Sequence, residues 1–524
     1  MLHQSGSSRL LNGWCPWRSQ LRREIRDTHC KYCKTESNGR NLVVAIDGTS
    51  NQFGLKYSNV VDIYRRIDKE IVLQGSESKQ LTYYNSGVGT YANPSHKWTL
   101  HMAKTAVEST VDMAIALNFE RTILAAYRWL SEKYVRGDRI FLFGIPSHHL
   151  WYPHASNNRI TGFSRGAYQV RVLAGMIKRV GLLKGGNEEQ IPFAYELYES
   201  GYVSTVPNMC SEFRKAFSAE APIHFLGVWD SVSSVGLTRG KGLPLARSWG
   251  HICYVRHALA LDERRVKFVP EEYYVQHRHG HGVPSDVGPS AEHYVSEMEH
   301  TEDDVWKSNT EVSDRLKEVW FVGCHADVCP DKHLIDEFPA MWMANEARFA
   351  GLQFKAAHPH WDFHLVKSLK FNESLRSFWR VLEVIPFLGR EEDHPNRILP
   401  HWGSHRYIKP HQKIHVSVAF VPDYHPKARF WPHSGHSWDN ILDHSTLDHI
   451  ERLRDPIIEL DLYDHSAAPH LVDRLRQYLR HEKADSPLTP GPPRHEADVD
   501  DALARLTILA ISGKSHLSVQ VCKD

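Results

Sequence analysis

The sequence predicts an α/β fold with a mostly parallel central sheet and helices on both faces. Short apolar segments of strand length alternate with segments of helical periodicity, which is typical of parallel sheets covered by helices. The apolar segments lie at Leu42–Ile46, 80–90, Arg139–Phe143, 223–229, 318–323 and 413–421. A long helix is predicted between the second and third segments, because Ile115, Phe119, Ile123 and Tyr127 recur every four residues.

Composition and charge narrow the class of protein. The 524 residues include 63 Lys and Arg against 62 Asp and Glu, a net charge of +1, which argues against nucleic acid or an anionic membrane as the main partner. The sequence shows no apolar run of the roughly 18–20 residues that a transmembrane helix needs. The first residues lack the apolar core of a secretory signal, so we expect a cytoplasmic protein.

The sequence predicts three parts. Residues 1–39 are predicted to be a flexible basic arm, residues 40–430 a folded domain, and residues 431–524 a helical and irregular extension with a Pro-rich linker at 486–493. A polar stretch at 276–303 is predicted to be a loop within the domain. The last segment, from Ala502 to Ile511, is amphipathic; packing on the core is favoured for it, and peripheral membrane contact is the alternative.

The first candidate for chemistry is Gly162-Phe163-Ser164-Arg165-Gly166, which has the G-x-S-x-G pattern of a serine nucleophile between a strand and a helix. A helix is predicted directly after Ser164, since Ala167, Val170, Ala174 and Ile177 form one apolar face. At the start of that helix, the Arg165 N–H could help stabilise an oxyanion.

A serine needs a histidine base and a carboxylate that orients it. Asp230 follows the strand predicted at 223–229, and His325 follows the strand predicted at 318–323. The chain order Ser164, Asp230, His325 is that of hydrolases with this elbow. Asp327 is a rival orienting acid, because it lies two residues beyond the histidine.

A second oxyanion donor is expected from the loop after the first strand. Gly48 and Thr49 place small residues there, so their backbone N–H groups could face the serine. An ordinary surface turn is the alternative interpretation of the same residues.

The sequence favours no metal and no cofactor. Cys30 and Cys33 have metal-like spacing, and Cys15 and His29 could complete a site, but thiols in a reducing compartment are the preferred interpretation. Three histidines, His277, His279 and His281, are interpreted as part of a solvated loop.

Several sequence blocks together resemble one family, the uncharacterised α/β-hydrolase domain that is abundant in fungi and shared with bacterial type VI secretion phospholipase effectors. The blocks follow the family's order between about residues 40 and 425: VVAIDGTSN, YYNSGVGT, FSRGAY, IPFAYELY, FLGVWDSVSSVG, RHALALDERR, EVWFVGCHADV, MWMANEARFAGL and KIHVSVAF. The resemblance implies an α/β-hydrolase fold and a triad of Ser164, Asp230 and His325. In the bacterial relatives it implies cleavage of phospholipid acyl esters.

The chain departs from this family pattern twice. In relatives the strand continues directly into the turn that carries the serine, and removing residues 145–162 from this chain restores that sequence pattern. We interpret these 18 residues as a retained intron or a gene-model error. Cys329 and Pro330 also replace a glycine-rich run after His325, and they stiffen a turn that glycines would leave permissive.

The sequence therefore predicts a serine hydrolase that cleaves a small-molecule or lipid ester. The insert lies where the nucleophile must be held rigidly, so this chain is expected to be impaired as written. The alternative is an impaired pseudo-hydrolase that acts as a binding or regulatory module.

Overall fold

The computed structural model describes the chain in separate stretches. These are residues 30, 33, 39–48, 58–71, 79–86, 107–146, 166–200, 206–232, 243–273, 315–329, 337–355, 371–375, 379–380, 383–384, 401–409, 411–415, 418, 424–431, 438 and 450–451.

Within these residues, eight strands form one sheet in which every neighbouring pair is parallel. The sheet strands are β1 (Asn41–Ile46), β2 (Gln80–Asn85), β3 (Arg139–Gly144), β6 (Ile223–Trp229), β7 (Ile252–Ala260), β8 (Leu316–Phe321), β10 (Lys413–His415) and β12 (Ile450–Glu451). Their spatial order is β12-β10-β8-β7-β6-β3-β1-β2. Two small pairs lie outside it: β4 (Leu182–Leu183) with β5 (Ser218–Ala219), and β9 (Tyr407–Ile408) with β11 (Arg429–Phe430).

Helices cover both faces of this sheet, as predicted. The α-helices are α1 (Asn59–Arg66), α2 (Val107–Lys133), α3 (Gly166–Val180), α4 (Ile191–Glu199), α5 (Val206–Phe217), α6 (His325–Val328) and α7 (Glu337–Phe349), with 3₁₀ turns at Glu188–Gln190 and Val266–Phe268. One apolar core lies between one face of the sheet and the helices α2, α3, α4 and α5. A second apolar core lies between the other face and the helices α1 and α7. The helical periodicity of α2 is confirmed where its side chains are described, because Phe119, Ile123 and Tyr127 are buried.

The order of strands reverses beside β1. The chain runs from β1 outward to β2, then returns across β1 to β3 and continues away on the other side. In open parallel sheets, ligands bind outside the carboxyl ends of the strands at such a reversal. The residues after β1 and β3 are therefore the place to look for a site.

The structure corrects the predicted strands and boundaries. Strand β7 was not predicted, because Arg256 and His257 interrupt its apolar pattern; both are buried. Strand β12 lies beyond residue 430, so the sheet continues into the predicted extension. Cys30 is buried, but most of residues 1–39 lie outside the described residues, so the predicted flexible arm stays a prediction.

Several predictions fall outside the described residues: the polar loop at 276–303, the linker at 486–493 and the last amphipathic segment. Among the helices that the structure describes, none combines the length and apolar character required to span a membrane.

Candidate active site

The start of α3 packs directly against the end of β3. A Cβ placed on Gly144 would lie 2.5 Å from the Gly166 carbonyl oxygen, and a Cβ on Gly166 would lie 2.7 Å from the carbonyl oxygens of Ile46 and Asp47. Only glycine permits such close backbone contact. Ser164 and Arg165 lie outside the described residues, and Ser164 is two positions before Gly166 in the sequence.

Asp230 lies at the carboxyl end of β6, fully buried, with a φ of +33°. This backbone conformation is unusual for a residue other than glycine, and aspartate is among the few that adopt it. The turn lets the Asp230 Oδ1 accept a hydrogen bond from the Ala260 N–H at 3.1 Å, at the end of the neighbouring β7. Two strand ends thus fix this carboxylate.

His325 is the first residue of the short helix α6, which follows β8 after a turn of three residues. Its N–H donates to Glu263 Oε2 at 3.2 Å, and the Phe268 ring packs edge-on against the imidazole at a centroid distance of 4.7 Å. The Arg265 guanidinium stacks on the Phe268 ring, 3.6 Å from its centroid, and so holds that ring in place. The imidazole is therefore held from both its backbone and its ring face.

The structure brings His325 and Asp230 together. The His325 Nδ1 lies 2.6 Å from Asp230 Oδ2, although 95 residues separate them in the chain. A carboxylate can only accept here, so Nδ1 carries the hydrogen and the basic lone pair of the neutral ring is on Nε2. This is the tautomer in which a histidine can take a proton from a serine hydroxyl.

The Asp230 carboxyl is held ionised. Burial alone would raise its pKa, but the charge of Arg406 and the hydrogen bond from His325 outweigh burial and keep the pKa below its ordinary value. An ionised carboxylate at this position can stabilise an imidazolium when the histidine accepts a proton.

Asp327, the rival acid, has a different role in the structure. Its Oδ2 accepts the Cys324 N–H at 2.8 Å, and its Oδ1 accepts the Asn372 side-chain amide at 2.6 Å. Burial raises its pKa, in contrast to that of Asp230. Asp327 therefore caps α6 and does not orient the imidazole. Cys329 lies at the end of α6 with its N–H donating to the His325 carbonyl oxygen, and Pro330 is outside the described residues.

The predicted oxyanion loop is described only as far as Gly48. The Gly48 N–H donates to the Asp47 carboxylate at 2.7 Å, and that carboxylate also accepts from Ser58 and Tyr84. Donation from Gly48 to an oxyanion would therefore require it to leave Asp47. Thr49 lies outside the described residues, so its predicted role stays a prediction.

Arg406 is the functional candidate that the sequence did not indicate. Its Nη1 and Nη2 donate to Asp230 Oδ1 and Oδ2 at 2.6 and 3.0 Å, and its guanidinium also donates to the carbonyl oxygens of Ala260 and Phe268. It precedes the short strand β9, in a segment without a recognisable motif. No sequence signal marks an arginine whose partner is 176 positions away.

Replacing Arg406 with methionine is expected to lower the free energy of unfolding by about 3–5 kcal/mol at pH 7, because it leaves a buried carboxylate without its countercharge. In the native chain the pKa of Asp230 is below its unfolded value, so its contribution is present above the unfolded pKa and is lost as pH falls through the folded pKa. In the variant, burial raises that pKa, so the deficit should shrink as pH falls. Urea unfolding at pH 7 and at pH 4.5 measures both quantities.

Arg406→Lys is the matched control for this variant. It keeps the positive charge but loses the paired donors, so its deficit should be smaller than that of Arg406→Met. A deficit that is equal in both variants and independent of pH would contradict the assigned role.

A second buried histidine–carboxylate pair, formed by His257 and Glu318, is not placed to act as a base. His257 Nδ1 lies 2.8 Å from Glu318 Oε1, but its Nε2 accepts the Ser231 N–H at 3.1 Å. Both ring nitrogens are thus engaged within the sheet. His325, in contrast, follows the carboxyl end of β8 and lies beside Asp230 at the carboxyl end of β6.

Comparison with known proteins places the chain in a family. The family model for the catalytic domain of Tle1-like phospholipase effectors of the type VI secretion system matches residues 40–146 and 152–346, more than half of the chain. The chain belongs to this family. The match contains β1 to β8, Asp230 and His325. It is interrupted only at 147–151 and includes the other 13 residues of the predicted insert at 145–162, so the insert stays a prediction. Arg406 lies beyond the matched range.

Two individual proteins are similar to this member of the Tle1-like family. The uncharacterised protein YEL023C of Saccharomyces cerevisiae is 34% identical over 243 residues, which cover 44% of this chain and 32% of the yeast protein. The Tle1 effector in a structure with the VgrG spike of the type VI secretion system is 14% identical, with 57% of this chain and 52% of that chain covered and a TM-score of 0.27. The chain thus spans about a third of the yeast relative and half of the effector.

Proposed function

We propose that the protein is a serine hydrolase that cleaves carboxylic esters, with phospholipid acyl esters as its substrate class. The observation that carries this proposal is the Asp230–His325 hydrogen bond at the carboxyl edge of the sheet. Membership in the Tle1-like family supports a lipid ester as the substrate.

The proposed mechanism gives each residue one role. Ser164 attacks the ester carbonyl carbon, and His325 accepts the hydroxyl proton at Nε2. Asp230 orients the imidazole and stabilises its protonated form, and Arg406 keeps Asp230 ionised. The protonated His325 then donates to the leaving alcohol, and water releases the acyl group by the reverse sequence.

The oxyanion donors belong to the same proposal. The N–H of Arg165 lies in sequence directly before α3, whose N-terminal dipole favours a developing negative charge. From the loop after β1, Thr49 is the preferred second donor, because the Gly48 N–H is engaged by Asp47. A cytoplasmic location and peripheral membrane contact remain predictions.

The test is fluorophosphonate labelling of the purified chain, with Ser164→Ala as control. We expect labelling that disappears in Ser164→Ala, because this reagent reacts readily with a serine that a neighbouring general base activates, and hardly at all with an ordinary serine. Release of fatty acid from phospholipid vesicles would then test the substrate class.

The same labelling is compared between the chain as written and a version without residues 145–162. Labelling confined to a version without residues 145–162 would identify the chain as written as a disabled form of a hydrolase. Absence of labelling in both versions, with both folded, would contradict the proposed function and favour a binding module.

A further inference from the structure

Four metal-ligating side chains meet at the end of the sheet opposite to the candidate active site. Their ligand atoms, the thiol sulfurs of Cys30, Cys33 and Cys253 and a ring nitrogen of His224, all lie within 4.8 Å of one another. Cys30, His224 and Cys253 are buried, at 4%, 2% and 4% exposure. We call these four residues the Cys₃His cluster.

The topology of the sheet explains this meeting. Strands β6 and β7 are parallel neighbours, with Ile223 opposite Ile252 and Phe225 opposite Tyr254. His224 and Cys253, between these pairs, are each the second residue of their strand and project from the same face. The segment before β1 brings Cys30 and Cys33 to this position.

The hydrogen bonding of His224 leaves the correct nitrogen facing the sulfurs. Its Nε2 lies 2.7 Å from the Ala350 carbonyl oxygen, which can only accept, so Nε2 carries the hydrogen. Nδ1, the nitrogen with the lone pair in the neutral ring, lies 3.5 Å from the Cys33 sulfur. A metal-bound histidine commonly makes this kind of bond through its other nitrogen, which fixes the tautomer and the ring orientation.

The distances match a tetrahedral ion. With Zn–S near 2.3 Å and Zn–N near 2.05 Å, the sulfur–nitrogen edge of a zinc tetrahedron is about 3.5 Å and the sulfur–sulfur edge about 3.8 Å. The Cys33–His224 separation of 3.5 Å is close to that edge, and the other separations are at most 4.8 Å, so closing on an ion requires a contraction of at most about 1.3 Å. Three cysteines and one histidine are a closed donor set typical of structural zinc.

The charge of the surroundings also suits this ion. Zn²⁺ with three thiolates carries a net charge of −1. Arg139, the buried first residue of β3, interacts electrostatically with Cys30 and Cys33 and supplies the compensating charge. Buried charges require such pairing.

We propose that the Cys₃His cluster binds one structural Zn²⁺ ion that fastens the segment before β1 to β6 and β7. The set is closed, with four protein ligands and no position for water, so the ion supports the fold and takes no part in hydrolysis. His224 and Asp230 are six residues apart on one strand and its end, which corresponds to about 20 Å. The sequence favoured thiols outside any metal site because His224 and Cys253 have no spacing that relates them to the CxxC pair.

The test is the metal content of the full-length chain, purified and dialysed against metal-free buffer. We expect one zinc ion per chain in the native protein and loss of most of it in Cys253→Ser. Cys210→Ser is the matched control, because Cys210 is also buried but lies outside the cluster, and it should retain the zinc. Folded native protein without zinc, or with another metal in its place, would overturn the proposal.

Substitution with cobalt keeps the test decisive if Cys253→Ser does not fold. Native chain loaded with Co²⁺ should show the thiolate charge-transfer absorption and the visible bands of a tetrahedral site. Absence of these bands in folded protein would overturn the assignment. Neither measurement depends on Ser164 or on hydrolysis, so failure of the proposed function leaves this test intact.

Discussion

A chain lacking residues 145–162 is expected to react with a fluorophosphonate about 100-fold faster than the chain as written, because catalytic groups need placement to within about an ångström. Gly144 and Gly166 are already in backbone contact in the structure. The chain as written has residues 145–165 between them, and the deletion leaves Phe163, Ser164 and Arg165. Three residues form a taut strand-to-helix turn that fixes the serine.

Two controls accompany this deletion. Combining it with Ser164→Ala should abolish labelling, which shows that the gain arises at that serine. Removing residues 280–297, also 18 positions, from the predicted polar loop should give no gain. Equal rates with and without residues 145–162, in folded proteins, would show that the elbow forms despite the longer connection.

Replacing Asp230 with asparagine is expected to lower kcat/KM for an ester by about 10⁴-fold. Arg406 Nη1 and the Ala260 N–H donate to Oδ1, and Arg406 Nη2 and His325 lie at Oδ2. Among these donors only the imidazole can move its hydrogen to another atom, so we expect the asparagine oxygen at the Oδ1 position. The asparagine NH₂ group then faces His325 Nδ1 and forces the hydrogen of the ring onto Nε2. The histidine can no longer accept the serine proton. The measurement is best made in the version without residues 145–162, with thermal unfolding as a check of folding.

Asp327→Asn is the matched comparison for the rival acid. Asparagine keeps an acceptor for the Cys324 N–H and the cap of α6, so we expect a loss below about 10-fold. Equal losses in the two variants, or a greater loss in Asp327→Asn, would contradict the assignment of Asp230 as the orienting acid.

The fold was predictable because most of its strands are continuous apolar segments. Residues 223–229 were predicted and observed as β6, and β1 and β3 each differ from prediction by one residue. β7 was missed because buried polar side chains obscure its pattern. Arg256 is paired with Glu346 of α7, and His257 with Glu318 of β8. These carboxylates make it possible to bury polar side chains that are unusual in a central strand.

The candidate site was predictable only where local motifs exist. Asp230 and His325 each follow a strand, and their meeting follows from the parallel sheet. Arg406 and the pairing of Cys30 and Cys33 with His224 and Cys253 depend on contacts between distant segments. The spacing of residues along the chain does not indicate contacts between distant segments, so the three-dimensional structure was required to find them.

The distance in sequence between Asp230 and Arg406 has a consequence for biosynthesis. At about 5–20 residues per second, the ribosome adds the arginine roughly 9–35 s after the aspartate, since 176 positions separate them. Until then the carboxylate has no guanidinium, and burying it would cost several kcal/mol. The candidate active site is therefore completed late in translation, and a transcript that stops before codon 406 would encode Ser164, Asp230 and His325 without the arginine that lowers the pKa of Asp230.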